Sequence, residues 1–204
     1  MSDQLTPADE FREIAGRFTV VVEGVPDDAA WRLPSPVPEW TARDVVGHLV
    51  SWVPGFLEGG AGVTLPRGPA VEDDPVAAWR TMSDGLQALL DDPGNRRRVL
   101  TNPHLGEVPF PDAVSRFITA DVFLHTWDLA RATGQDDTLD PQRCAAMLEG
   151  MLPLDGMLRA SGQYGPKVPV PDDADAATRL VAFIGRDPAY PGRRGAPGGA
   201  NLGR

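Results

Sequence analysis

The 204-residue chain contains three histidines, and two of them stand where a helical stripe calls for an apolar residue. His48 falls between Val45 and Trp52 on one such stripe. On a second, His125 lies four residues after Asp121 and three before Asp128, spacings that make neighbours on one helix face. Burying an ionised carboxylate costs several kcal/mol or more unless it is paired or bound to a cation, so the second stripe requires a compensating partner. A divalent metal is one. Two neutral imidazoles and a carboxylate from facing helices form a three-ligand set that leaves coordination positions for water and substrate. The plainer alternatives are an Asp121–His125 ion pair and a hydrogen-bonded core histidine; the facing His48 tips the balance toward the metal. Asp128 reads either as a group that orients an imidazole or as an exposed residue of the last turn.

The other reactive residue types fit quieter readings. His104 lies in the segment Thr101-Asn102-Pro103-His104-Leu105-Gly106, a loop in which a solvated side chain is expected. The single cysteine, Cys144, stands among Ala145, Ala146 and Met147 and reads as a small buried hydrophobe rather than a nucleophile. Arg96-Arg97-Arg98 is a short basic cluster on an otherwise acidic chain and reads as solvated loop.

The elements that must position these residues are helical. Thr6 is placed to cap a helix with Pro7 at its first position and Phe11, Ile14, Phe18 and Val21 on one face. Thr41 and Asp44 form a capping-box pattern ahead of Val45, His48, Leu49 and Trp52. Asp74-Pro75 opens a third helix with Val76, Trp79, Met82 or Ser83, Leu86 and Leu89 inward, ended by Asp91-Asp92-Pro93-Gly94. Asp112 is read as the cap of a fourth, which carries Val114, Phe117, Asp121, Leu124, His125 and Asp128 and stops at Gly134. A fifth runs from Asp140-Pro141 to about Leu152, and a short last one from Asp175 to about Gly185. Alternating patterns are nearly absent, and Lys167-Val168-Pro169-Val170-Pro171 carries too much proline for a ladder. The expected fold class is all-α: a four-helix bundle with additional short helices and long Gly/Pro-rich loops. The long loop is expected over Pro54–Pro69, as a wall of the site. Domain organisation reads as one helical domain over 1–187 and a disordered Gly/Pro-rich tail over 188–204.

Composition narrows the partners. With 42% hydrophobic and 24% charged residues the chain can build a core, and its net charge of −10 repels a phosphate backbone and anionic lipid alike. No nucleic-acid or membrane partner is expected. One cysteine excludes an intrachain disulfide, and the N-terminus lacks the basic and apolar regions of a signal peptide. These features read as cytoplasmic. A small-molecule substrate is the expected partner, and a homodimer is left open.

Two segments resemble a known family. Trp40-Thr41-Ala42-Arg43-Asp44-Val45-Val46-Gly47-His48-Leu49 is similar to the W-T-x-x-D-x-x-x-H-L signature of the mycothiol-dependent maleylpyruvate isomerase family, within the DinB-like metal-binding bundles. Asp121 through Gly134 resembles its second signature: an acid, three positions, His, two positions, Asp-Leu and a nearby Gly. The late segment Arg179–Pro188 is similar to the close of the bundle in small members. The resemblance implies a divalent metal, commonly zinc, held by His48, Asp121 and His125, with mycothiol as a thiol cofactor and a transferase or isomerase activity. Asp121 stands where the family usually has Glu. The family's isomerase also carries a C-terminal domain with a catalytic arginine; this sequence ends before one, so maleylpyruvate itself is not the expected substrate. Of the 19 basic residues only Lys167 is lysine, as in the GC-rich genomes of mycothiol producers. The rivals are a non-catalytic metal-binding bundle and, ranked low, an iron oxygenase built on two histidines and one carboxylate.

Overall fold

The computed structural model describes residues 5–102 and 106–192; His104 and residues 193–204 of the tail lie outside them. The described chain is largely helical. Its helices are α1 (Pro7–Glu23), α2 (Asp28–Trp31), α3 (Ala42–Ala61), α4 (Pro75–Asp91), α5 (Phe110–Ala113), α6 (Ala120–Thr133), α7 (Pro141–Met151), α8 (Asp155–Ala160) and α9 (Ala176–Phe183). A two-stranded antiparallel hairpin, β1 (Val99–Asn102) with β2 (Gly106–Pro109), pairs Leu100 with Val108.

The start signals act as the residue types require. The Thr6 hydroxyl accepts from the Asp9 amide, and Pro7 occupies a first-turn position whose N–H would have no helical partner. Thr41 and Asp44 close a reciprocal capping box, with the Thr41 amide donating to Asp44 Oδ2 at 2.7 Å. Asp74, Asp140 and Asp175 cap α4, α7 and α9, each side chain accepting from an amide of the first turn.

Four long helices pack pairwise in a closed cycle, α1 with α4 and α6, and α3 with α4 and α6. Phe11, Phe18, Leu49, Leu57, Trp79, Leu86, Ile118 and Leu129 are buried between them. The Phe18 and Trp79 rings meet edge to face at 4.6 Å. That cycle sets α3 beside α6, which places the His48 stripe against the Asp121 stripe.

Several boundaries differ from the sequence expectation. The Gly/Pro run does not end α3 at Pro54: the helix continues to Ala61 because Val53 and Leu57 keep the buried stripe going, and it stops at Gly62 in the left-handed region (φ 63°). The loop that follows packs against another side of α3 and lines a cavity of about 480 Å³ with Gly47, Ser51, Pro54 and Glu58. None of the three candidate metal-site residues lines that cavity. Asp112 is not a cap but lies within α5, which starts at Phe110 after Pro109 without a side-chain cap. Between α5 and α6 the chain makes a π-helical turn over Val114–Thr119. On α4, Leu90 rather than Leu89 is fully buried. α7 ends at Met151 with Leu152 as its C-cap, as expected, whereas α2, α8 and the hairpin are additions that the stripes did not show.

Candidate metal centre

α3 contributes His48 and α6 contributes Asp121, His125 and Asp128. His48 Nε2 stands 3.1 Å from Asp121 Oδ2, and His125 Nε2 stands 3.5 Å from Asp121 Oδ1. One ligand atom from each of His48, Asp121 and His125 lies within 4.8 Å of the others, a grouping able to hold a metal ion. A tetrahedral ion with nitrogen and oxygen ligands at about 2.0–2.1 Å separates those ligands by about 3.3 Å. The donor types and the observed spacings fit it.

Asp128 is fully buried and faces inward. His125 Nδ1 and Asp128 Oδ2 are 2.9 Å apart, which suits donation from Nδ1–H to the carboxylate and leaves Nε2 on the side of Asp121, 3.5 Å from Oδ1. This is the carboxylate–histidine pairing that fixes tautomer and ring direction in metal sites. Asp128 is in turn gripped by Arg186, which follows α9. Its Nε and Nη2 donate to Asp128 Oδ1 and Oδ2, each at 3.1 Å, and the arginine is only 8% exposed. The sequence reading gave Arg186 no role. Its signal was indirect: a buried Asp128 demands a cation, and nothing in the spacing says which of 18 arginines supplies it.

Electrostatics follow the packing. Burial pushes the Asp121 carboxyl upward, but the His125 charge and the hydrogen bond with His48 outweigh it and hold the group below the ordinary carboxylate range. For His125, burial works downward and is outweighed by the Asp121 charge and the Asp128 hydrogen bond, so its pKa is raised. Burial likewise opposes ionisation of Asp128, and the His125 hydrogen bond with the Arg186 charge overcomes it. The Tyr164 phenol, which the stripes did not single out, is pushed up by burial and then by the Asp121 charge.

Tryptophans frame the group. Trp40 lies stacked on His125 at 5.8 Å and 5.0 Å from the His48 ring. Just before it, Glu39 adopts φ 68°, the only left-handed non-glycine among the described residues. That conformation, costly for a non-glycine residue, lies in the turn that leads into Trp40. Trp52, one turn beyond His48, donates its indole N–H to Asp121 Oδ2 at 3.0 Å. The π turn ends two residues before Asp121, a distortion frequent at functional sites. Asp121 itself keeps 23% of its side chain exposed, so the centre has an open side.

Cys144 is buried in α7, and desolvation lifts its thiol to about 11. Arg98, from the basic cluster, hydrogen-bonds Asn95 Oδ1 and the Ala61 carbonyl. No helix among the described residues is long and apolar enough to cross a membrane.

The profile of the mycothiol maleylpyruvate isomerase N-terminal domain matches residues 11–130. Two relatives are each 34% identical over 156 residues, covering 75% of this chain and 83% of their own. Both are uncharacterized proteins of Mycobacterium tuberculosis, one from strain CDC 1551 / Oshkosh and one from strain ATCC 25618 / H37Rv. No solved structure is significantly similar to the chain. The matched segment contains His48, Asp121, His125 and Asp128, whereas Tyr164 and Arg186 lie beyond it.

Proposed function

The chain belongs to the mycothiol maleylpyruvate isomerase N-terminal domain family, and from that premise we propose that it is a divalent-metal protein, with zinc the expected ion, that activates mycothiol or a related small thiol for transfer to, or isomerisation of, a small electrophile. The observation that carries the reading is the convergence of His48, Asp121 and His125 from two helices with one side open. On this reading the cycle of α1, α3, α4 and α6 is a DinB-like four-helix bundle. When bound, the ion supplies Lewis acidity that lowers the pKa of a thiol or water held at the open position.

The chain's own groups set up that chemistry. Asp128 holds His125 in the tautomer that presents Nε2, and Arg186 holds Asp128 ionised. The Trp52 indole pins one Asp121 oxygen, which restricts that carboxylate to a single orientation. With neutral imidazoles, the residues His48, Asp121, His125, Asp128 and Arg186 sum to one negative charge, because Arg186 cancels one of the two carboxylates. A divalent ion there keeps a net positive charge, which favours a thiolate over a neutral ligand. Without Arg186 the sum is neutral and that preference is lost.

The test is spectroscopic. Cobalt-loaded protein titrated with mycothiol should develop a near-ultraviolet sulfur-to-metal charge-transfer band, absent in the His48→Ala and His125→Ala variants. No band with mycothiol, glutathione or bacillithiol would reject thiol activation and leave a metal-binding bundle without thiol chemistry.

A further inference from the structure

A ribbon of aromatic rings runs out from the candidate centre. His48 is followed by Trp52 at 6.1 Å between ring centres, Trp52 by Phe56 at 5.4 Å, and Phe56 by Phe117 at 5.9 Å. The last two contacts are edge to face, the geometry in which each ring leaves part of its own face uncovered. Trp52, Phe56 and Phe117 are all partly exposed, whereas Phe11, Phe18, Trp79 and Phe110 are essentially closed off in the core. All three pack against the core while keeping part of their surface exposed, so accessible aromatic surface continues outward from the candidate centre.

The backbone beside the ribbon is arranged to keep it open. Continuing the line of His48 and Trp52 along α3, the next positions are Gly55 and Gly59, where an added Cβ would meet nothing within 4 Å. Glycine inside a helix costs about 1 kcal/mol relative to alanine, so this bare strip is retained against local propensity. Across from it, Phe117 stands in the π turn of Val114–Thr119. The ribbon carries no cation contact: among the described residues, the rings with an Arg or Lys over them are Trp127, Phe123 and Phe183. The part of a ligand that lies on it therefore finds ring faces that no side-chain cation of the described residues covers.

We propose that Trp52, Phe56 and Phe117 form the acceptor subsite beside the metal centre, and that the acceptor is a planar, conjugated molecule whose apolar face lies on these rings. The proposal rests on the thiol-transfer reading for the word acceptor and on the ring geometry for everything else. Trp52 joins the two regions, since its N–H holds Asp121 while its ring begins the ribbon.

Binding without any thiol separates the two ideas. Zinc-loaded protein is titrated by ligand-observed NMR with 4-nitrotoluene, which is planar, and with nitrocyclohexane, which has the same polar group on a puckered ring. The planar probe should bind at least about fivefold tighter. Phe56→Leu and Phe117→Leu, which keep apolar bulk and remove the ring, should each weaken it roughly 3–10-fold, the range of one aromatic contact, with nitrocyclohexane unmoved. Equal affinities for the two probes, or indifference to both substitutions in folded variants, would overturn the subsite. The cobalt–thiolate band is read in the same variants. Band present with no planar preference rejects only the subsite; planar preference without the band rejects only thiol activation.

Discussion

Arg186→Gln is the most informative single change in this protein. Arg186 makes two hydrogen bonds of 3.1 Å to Asp128, whose side chain has no exposed surface, and the remaining partner of that carboxylate is His125 at 2.9 Å. Breaking a buried pair by removing one partner costs about 3–5 kcal/mol, because the other charge stays buried without its counter-ion. Against a total stability of about 5–15 kcal/mol this is a large share. Asp128→Asn alone strands the guanidinium in the same way. The double variant removes both charges and should recover much of the loss, so the cycle should show a coupling of about 2 kcal/mol or more. The assay is urea unfolding of metal-free protein, which keeps metal binding out of the comparison. Arg12→Gln, which removes the exposed pairs with Asp9 and Asp91, should leave the midpoint nearly unchanged. Additive losses at positions 128 and 186, or a midpoint for Arg186→Gln like that of Arg12→Gln, would refute the claim that Arg186 is what keeps Asp128 charged beside His125.

Three further outcomes follow from the same geometry. Because Asp121 and Asp128 raise the pKa of His125 in the metal-free chain, zinc must displace that proton; apparent affinity should climb with pH until the raised value is passed and then level off, with proton release read by calorimetry in two buffers of different ionisation heat. A flat affinity through that interval would show that His125 Nε2 is not a ligand. Asp121→Asn should lower zinc affinity far more than Asp128→Asn, whose effect should be about 10–100-fold; the reverse order in a chelator competition would exchange their roles. Cys144, buried with its thiol lifted to about 11, should react with a disulfide reagent only on unfolding at pH 8, and rapid labelling of native protein would contradict its burial.

What the sequence made legible was local chemistry. Thr41 with Asp44, and Pro7, Pro75 and Pro141 each preceded by a capping residue, mark helix starts because their hydrogen bonding is satisfied within three residues. His48 and the Asp121–His125 pair stood out because each interrupts an apolar stripe. Long-range partners were not legible. Arg186 reaches Asp128 across 58 residues, and only packing brings the end of α9 to α6. The continuation of α3 through Pro54, Gly55, Gly59 and Gly60 runs against propensity and is decided by burial of Val53 and Leu57, a case of packing overriding local preference. The hairpin was hidden for a related reason: each strand has four residues, one of them Pro109, too short for an alternating pattern. The reading from Asp112 placed the cap three residues too late, because Pro109 leads into α5 with no side-chain hydrogen bond and so carries no cap signal; the π turn that follows shifts the phase of the stripe before Asp121.

The central claim is that His48, Asp121 and His125 hold one divalent ion, and metal content measures it most directly. Purified protein dialysed against zinc, then freed of loose metal on a weak chelating resin, should retain close to one equivalent per chain by elemental analysis. His48→Ala and His125→Ala should each lose nearly all of it while keeping helical circular dichroism. Full occupancy in either alanine variant, or no retained metal in the unsubstituted protein, would contradict the account.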